Sequence, residues 1–440
     1  MRPAMRDPWP TPADLAVPVL GPATVPSPLA ARGDRFVPDG DRVLVAAGLA
    51  DLAASRHDGA PASFERAGPR AALYFDPATL ACGILTCGGL CPGLNNVVRA
   101  IVLALHYSYG VRRIVGFRYG YAGLDPRNGH APVELRPETV TAIHEQGGTF
   151  LGTSRGPQDV GAMVDTLARL GIGVLFVLGG DGGLRGALAI HGEIARRGLR
   201  IAVVGVPKTI DNDLQWIAHS FGFATAVDAA QDVVQAAHAE ARAAWNGIGI
   251  VKLMGRHAGF IAAHATLASA DVNFCLVPED PFVLDGPRGF LAALERRLAE
   301  KHHAVVVVAE GAGQDLIPGA ARERDASGNV KPADVGLFLR DRVHRHFAAR
   351  GTAVTIRYLD PSYAIRSLPA NATDAQYCLV LGQHAVHAGL AGRTAVVVGS
   401  WNDCVVHVPI PLVVGRPRRL DPEGEDWRRV LETTGQPVMR

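Results

Sequence analysis

Five stretches of the chain are apolar at nearly every position, and each runs directly into glycine or charge. They are CGILT (82–86) before CGGLCPGLNN (87–96), VLFVL (174–178) before GGDGG (179–183), IAVVGV (201–206) before PKTIDND (207–213), IGIVKL (248–253) before MGRHAG (254–259), and AVVVVA (304–309) before EGAG (310–313). A strand with one wet face alternates apolar and polar residues, whereas continuous Val, Ile and Leu imply burial on both faces, as in parallel sheets covered by helices. Amphipathic patterns such as ALAIHGEIARR (187–197) follow the runs and complete βα units, predicting an α/β fold with mainly parallel sheets. In such sheets ligands bind beyond the carboxyl ends of the strands, where all five polar motifs fall. The pattern therefore places the chemistry in one crevice. Outside these units, residues 1–75 are irregular apart from VLVAAGLADLAA (43–54), and predict a partly ordered N-terminal extension. The tail after Pro411, with RPRRL (416–420) and DPEGEDW (421–427), reads as a surface connection and a last helix.

At 440 residues the chain is long enough for two cores. Its 44 Lys and Arg nearly cancel 42 Asp and Glu, so no long-range basic field exists to gather nucleic acid or a membrane surface, and phosphate binding has to be local. The proline-studded first residues contain no unbroken apolar run, which predicts neither a secretory signal nor a membrane span and makes the cytoplasm the expected compartment. Six cysteines in so long a chain do not form a disulfide framework, and Cys87 and Cys91 lack a partner pair at zinc spacing.

The motifs carry the candidate chemistry. In CGGLCPGLNN the glycines let backbone amides approach an anion at a helix N-terminus, with Gly89 the expected phosphate contact; a tight structural turn is the alternative. GGDGG offers a second cradle and Asp181 as a hard carboxylate for magnesium, unless Asp181 is a helix cap. PKTIDND is the most informative. It closes a buried strand and places Asp211 and Asp213 two residues apart in an extended segment, where they share one side, so that one can take a proton while the other supports a metal, and Lys208 adds a point charge for phosphate. Arg155, Arg256 and Arg366 are candidate phosphate clamps, and Glu310 and Tyr363 candidate partners of sugar hydroxyls or phosphate. His257 and His264, seven apart on an expected helix, read as packing or surface residues. No Ser-His or Cys-His order suggests a covalent intermediate, so the set points to direct transfer.

Together ILTCGGLCPGLNN, GGTFLGTSRG (147–156), LGGDG, VGVPKTIDNDL, VKLMGRHAGFIA, VVVAEGAGQ and YAIRS (363–367) resemble the phosphofructokinase family, in order from about residue 80 to 415. The resemblance implies two Rossmann-like three-layer domains with the active site in the cleft between them. The first would comprise 76–222 plus 365–415 and bind the donor; the second, 223–364 plus 416–440, would bind sugar phosphate. Asp211 would be the base for the 1-hydroxyl of fructose 6-phosphate, aided by Arg256, with Asp181 at Mg2+. Thr209, Ile210, Met254, Gly255, Glu310, Tyr363, Ala364, Ile365 and Arg366 would join them around the sugar phosphate. Gly89, Arg155, Gly156, Gly180, Gly182 and Gly183 would line the donor. Gly182 resembles the ATP-using pattern, because Asp there would crowd the nucleotide, whereas Lys208 resembles the pyrophosphate users. The pair together resembles the plant-like and trypanosomal ATP-dependent branch, so ATP is the expected donor. Two positions depart from the family. Gly183 lacks the usual hydroxyl, a loss of about 1 kcal/mol of hydrogen bonding, and Gly247 replaces an arginine lent between subunits in bacterial allosteric enzymes. A homodimer or homotetramer is implied. The rivals are the pyrophosphate-dependent reaction, a kinase acting on another phosphosugar or on NAD, and a catalytically silent metabolite-binding regulator.

Overall fold

The computed structural model describes residues 9–319 and 330–439. Two parallel-centred sheets organise it. Numbering only their strands, the first contains β1 (Arg42–Leu44), β2 (Ser63–Arg66), β3 (Ala81–Thr86), β4 (Arg113–Phe117), β5 (Val133–Glu134), β6 (Ile172–Gly179) and β7 (Ala202–Pro207). The second holds β8 (Gly247–Leu253), β9 (Phe274–Leu276), β10 (His303–Ala309) and β11 (Thr355–Leu359); the chain then returns to the first sheet with β12 (Val396–Trp401) and β13 (Cys404–Pro409). The orders are β1-β2-β13-β12-β7-β6-β3-β4-β5 and β9-β10-β8-β11. All pairs of the second sheet are parallel, as are β12-β7-β6-β3-β4 of the first, while both edges of the first are antiparallel. β3, β7 and nearly all of β6, β8 and β10 are buried, as their uninterrupted apolar runs require. Helices cover the faces, among them α1 (Leu94–Leu103), α2 (Asp181–Arg196), α3 (Phe223–Ala243), α4 (Phe260–Ser269), α5 (Ala372–Leu390) and α6 (Glu425–Thr434). Among the described residues no helix is long and apolar enough to cross a membrane.

The leading segment, expected to be a partly ordered extension, supplies β1 and β2 to the first sheet. A buried cluster fastens it there. Glu65 on β2 accepts hydrogen bonds from Arg70 at 3.0 Å, Arg393 at 3.0 Å and His407 at 2.9 Å. Burial alone would raise the Glu65 carboxyl, but the His407 hydrogen bond and the neighbouring positive groups hold it at about 2. A carboxyl held below its unfolded value stabilises the fold above the ordinary range near 4.5, and that contribution is lost as pH falls toward 2. Glu65→Gln is expected to cost about 1 to 3 kcal/mol at pH 7 by leaving buried guanidinium donors without their charged partner. The difference in melting temperature from wild type should shrink as pH falls from 6 to 3; a constant gap would contradict the carboxylate's role.

Two local expectations change. His257 and His264 do not share a helix: α4 starts at Phe260, after a turn in which Gly255 has φ 128° and a Cβ would lie 2.5 Å from the Ala258 carbonyl. His264 packs edge-on against Phe223, whereas His257 stays in the loop. Asp211 and Asp213 do not sit on an extended segment either, because Asn212 between them adopts φ 53°.

Candidate active site

The loops following β3, β6, β7 and β8, together with Glu310 after β10, open into one cleft of about 500 Å³. It is lined by Gly89, Arg155, Asp181, Gly182, Lys208, Thr209, Ile210, Asp211, Asp213, Met254, Arg256, Glu310 and Arg366, all singled out from the sequence. The fold collects them because parallel strands present their following loops at one edge.

The β7 loop is built by its own side chains. Thr209 Oγ1 accepts from the Asp211 amide at 3.1 Å and donates to Asp213 Oδ1 at 2.9 Å, and Asn212 Oδ1 accepts from the Ser220 amide at 3.0 Å. The turn at Asn212 thereby directs both carboxylates into the cleft. Asp211 Oδ1 is buried with no hydrogen-bond partner. Burial raises the Asp211 carboxyl well above the usual carboxylate range, and Asp213 and Glu310 raise it further. Asp213 is also raised, by burial, and Glu310 likewise. Such a carboxylate is poised to accept a proton rather than to sit idle as an ion.

At the wall formed by the β6 loop, Asp181 begins α2; its Oδ1 accepts from the Gly415 amide at 2.8 Å and its Oδ2 meets Arg185 at 2.6 Å. Lys208 is buried, donates from Nζ to the Gly89 carbonyl at 3.0 Å and is pushed down by burial. A Cβ on Gly89 would lie 3.5 Å from both Arg155 and Arg366, so this glycine sits between two guanidinium groups. Among the described residues no cluster of three His, Cys, Asp or Glu could hold a metal unaided. Magnesium needs only one or two carboxylates when phosphate and water complete its shell, and Asp181 with Asp213 nearby fits that requirement.

Seven expected residues do not line the cleft. Gly180 caps α2 beside the Lys208 carbonyl, and Gly183 turns its carbonyl to the Tyr121 hydroxyl at 2.5 Å while its α-carbon faces Cys87. A Cβ at 183 would lie 3.1 Å from Cys87 Cβ, which gives the absent hydroxyl residue a packing reason. Gly156 and Gly255 make turns at positive φ. Tyr363 stands 76% exposed, with the Arg366 guanidinium 4.6 Å from its ring centre; Ala364 is exposed and Ile365 is buried in the core. Conversely, the sequence reading missed Arg185, His257, Arg416 and Arg419 in the lining. Arg185 was within reach, four residues after Asp181 on a helix. The two later arginines belong to the tail expected as a surface connection.

The described phosphofructokinase family model matches residues 81–389. The chain is 52% identical over 438 residues to an ATP-dependent 6-phosphofructokinase of Amycolatopsis methanolica, covering 97% of this chain and 95% of that one. It is 47% identical to ATP-dependent 6-phosphofructokinase 1 of Arabidopsis thaliana (85% of this chain, 79% of that one) and 47% identical to the ATP-dependent 6-phosphofructokinase of Trypanosoma cruzi (85% and 77%). The fold resembles the crystal structure of a pyrophosphate-dependent phosphofructokinase from Marinobacter aquaeolei, with a TM-score of 0.67 at 21% identity over 82% of this chain and 92% of that one. With half its residues shared with the Amycolatopsis relative over nearly its whole length, and a family model matching residues 81–389, this chain belongs to the phosphofructokinase family.

Proposed function

We propose that this chain is an ATP-dependent 6-phosphofructokinase, moving the γ-phosphoryl group of ATP to the 1-hydroxyl of fructose 6-phosphate and releasing ADP. The observation that carries the reading is Asp211 Oδ1, a buried acceptor without a partner in a cleft ringed by Arg155, Arg256, Arg366 and Lys208. A hydroxyl donating to this oxygen satisfies it. As the 1-oxygen bonds to the γ-phosphorus and the bridging P–O bond to ADP breaks, the hydroxyl proton passes to Asp211. Arg155 and Arg256 neutralise the moving group, while Thr209 keeps Asp211 and Asp213 in register. Asp181 would hold magnesium, which would supply charge neutralisation on the donor's phosphates. In this reading the units 76–222 plus 365–415 and 223–364 plus 416–440 hold donor and sugar phosphate respectively, and the protein works in the cytoplasm as a homodimer or homotetramer.

ATP as donor is supported by Gly182, where a Cβ would meet nothing within 4 Å, leaving room against the donor. Lys208 favours the second reading, a pyrophosphate donor, but its ammonium is engaged with the Gly89 carbonyl beneath the loop. A coupled assay for fructose 1,6-bisphosphate with ATP and pyrophosphate supplied separately decides between them. Product with ATP alone is expected; product with pyrophosphate alone overturns the donor, and product with neither overturns the reaction.

A further inference from the structure

Residues 414–420, beyond the part of the chain that the family model matches, cross the cleft as a strap. Gly415 donates its amide to Asp181 on the first sheet's side. Pro417 pairs with Leu214, and the Arg418 amide donates to the Asp213 carbonyl at 2.7 Å, so the strap also holds the loop of the proposed base. At the far end the Leu420 amide donates to Glu279 Oε1 at 2.8 Å, and the same carboxylate accepts from the Gly259 amide at 3.0 Å, which closes the loop carrying Arg256. Three segments that approach the reacting groups from different strands are thus tied to seven residues of tail.

The three arginines of the strap are used differently. Arg418 turns inward: its guanidinium lies 4.7 Å from the centre of the Phe260 ring and donates to the Ile217 and Ala218 carbonyls at 3.1 and 2.9 Å. Burial pushes it down to about 10, so it is a lock inside the protein rather than a cation offered to ligand. Arg416 and Arg419, on either side of it, line the cleft and are solvent-exposed. Arg416 follows Gly415 at the Asp181 wall, where Arg185 also stands. Arg419 lies at the other wall, near His257 and Glu279. Forked, permanently charged donors on a backbone tethered at Gly415, Arg418 and Leu420 suit phosphate oxygens.

We infer that the strap completes both substrate subsites, Arg416 binding the phosphates of the donor nucleotide and Arg419 the acceptor sugar phosphate. This rests on the phosphotransferase reading and assigns its specificity to two residues outside the motifs. The test compares wild type, Arg416→Met and Arg419→Met by steady-state kinetics and by calorimetric titration with ATP or fructose 6-phosphate alone, with melting curves as a folding control. Arg416→Met should raise KM and Kd for ATP by about tenfold to a hundredfold and leave those for fructose 6-phosphate unchanged; Arg419→Met should do the converse. A purely structural strap would move both sets together or alter only melting. Either of those results, no change in either set, or the reverse assignment overturns the inference. Absence of turnover in wild type with intact ATP and sugar-phosphate titrations would sink the reaction proposed above, while the split in dissociation constants would still decide the strap. Absence of ATP binding by wild type would overturn both.

Discussion

Asp211→Asn is expected to lower kcat by about 10²- to 10⁴-fold and, at the same time, to raise the melting temperature at neutral pH. The first effect follows from its proposed role as the base: the amide keeps the shape of the carboxylate but cannot take the proton of the attacking hydroxyl. The second follows from the environment. Burial, then Asp213 and Glu310, raise the Asp211 carboxyl well above its ordinary value, so ionised Asp211 is less stable in the folded protein than in the unfolded chain. A carboxyl whose folded value lies above the unfolded one destabilises the fold at pH values above both; this cost shrinks as pH falls through the raised value. Removing the charge therefore stabilises at pH 8 and makes progressively less difference in acid. Activity should follow the same titration in the opposite sense, kcat/KM of wild type rising with pH as the base ionises. Because Asp213 stands beside Asp211 and is raised too, the apparent values belong to the pair. Melting curves and initial rates from pH 5.5 to 8.5 measure both. A mutant that keeps normal turnover removes Asp211 as the base; one that is inactive but markedly less stable points instead to a structural role.

What the sequence made legible was what is local. A buried parallel strand needs apolar side chains on both faces, so β3, β6, β7, β8 and β10 announced themselves as unbroken Val, Ile and Leu runs, and their polar ends located the cleft. β1 and β2 did not, because a three-residue strand such as Arg42–Leu44 is too short to establish a period, and its place depends on pairing with β2, which in turn pairs with β13 near the other end of the chain. The same limit hid the strap. Nothing within GRPRRL (415–420) states that its backbone will meet Asp213, Asp181 and Glu279; those partners lie 141 or more residues away and are brought there by the fold. Arg185, by contrast, is legible from its spacing to Asp181, four residues on along α2. The register of PKTIDND failed for a different reason. Two acidic residues two apart share a side only on extended backbone, and Asn, which tolerates the left-handed conformation, supplied a turn that aims both into the cleft by another route.

Gly182→Asp is expected to raise KM for ATP by about 10²- to 10³-fold while leaving the melting temperature and the affinity for fructose 6-phosphate close to wild type, because a like charge set against the donor costs several kcal/mol. The position makes the separation possible. A Cβ at 182 would find open space and its φ is not in the left-handed region, so the substitution strains neither packing nor backbone. Gly182 nevertheless lines the cleft one residue after Asp181, so in the proposed arrangement the new carboxylate would enter the space assigned to the donor's phosphates rather than the sugar's. Gly183 provides the contrast. There a side chain would press on Cys87, 3.1 Å from its Cβ, next to the carbonyl that Tyr121 holds, so Gly183→Ser acts by displacing the first turn of α2 and should show itself in stability as well as in KM. Steady-state kinetics with ATP at saturating fructose 6-phosphate, paired with melting curves, distinguish the two. If Gly182→Asp uses ATP as well as wild type does, the donor does not pass over Gly182; if it loses stability and sugar affinity together, the residue acts on the architecture of the cleft and not on the choice of donor.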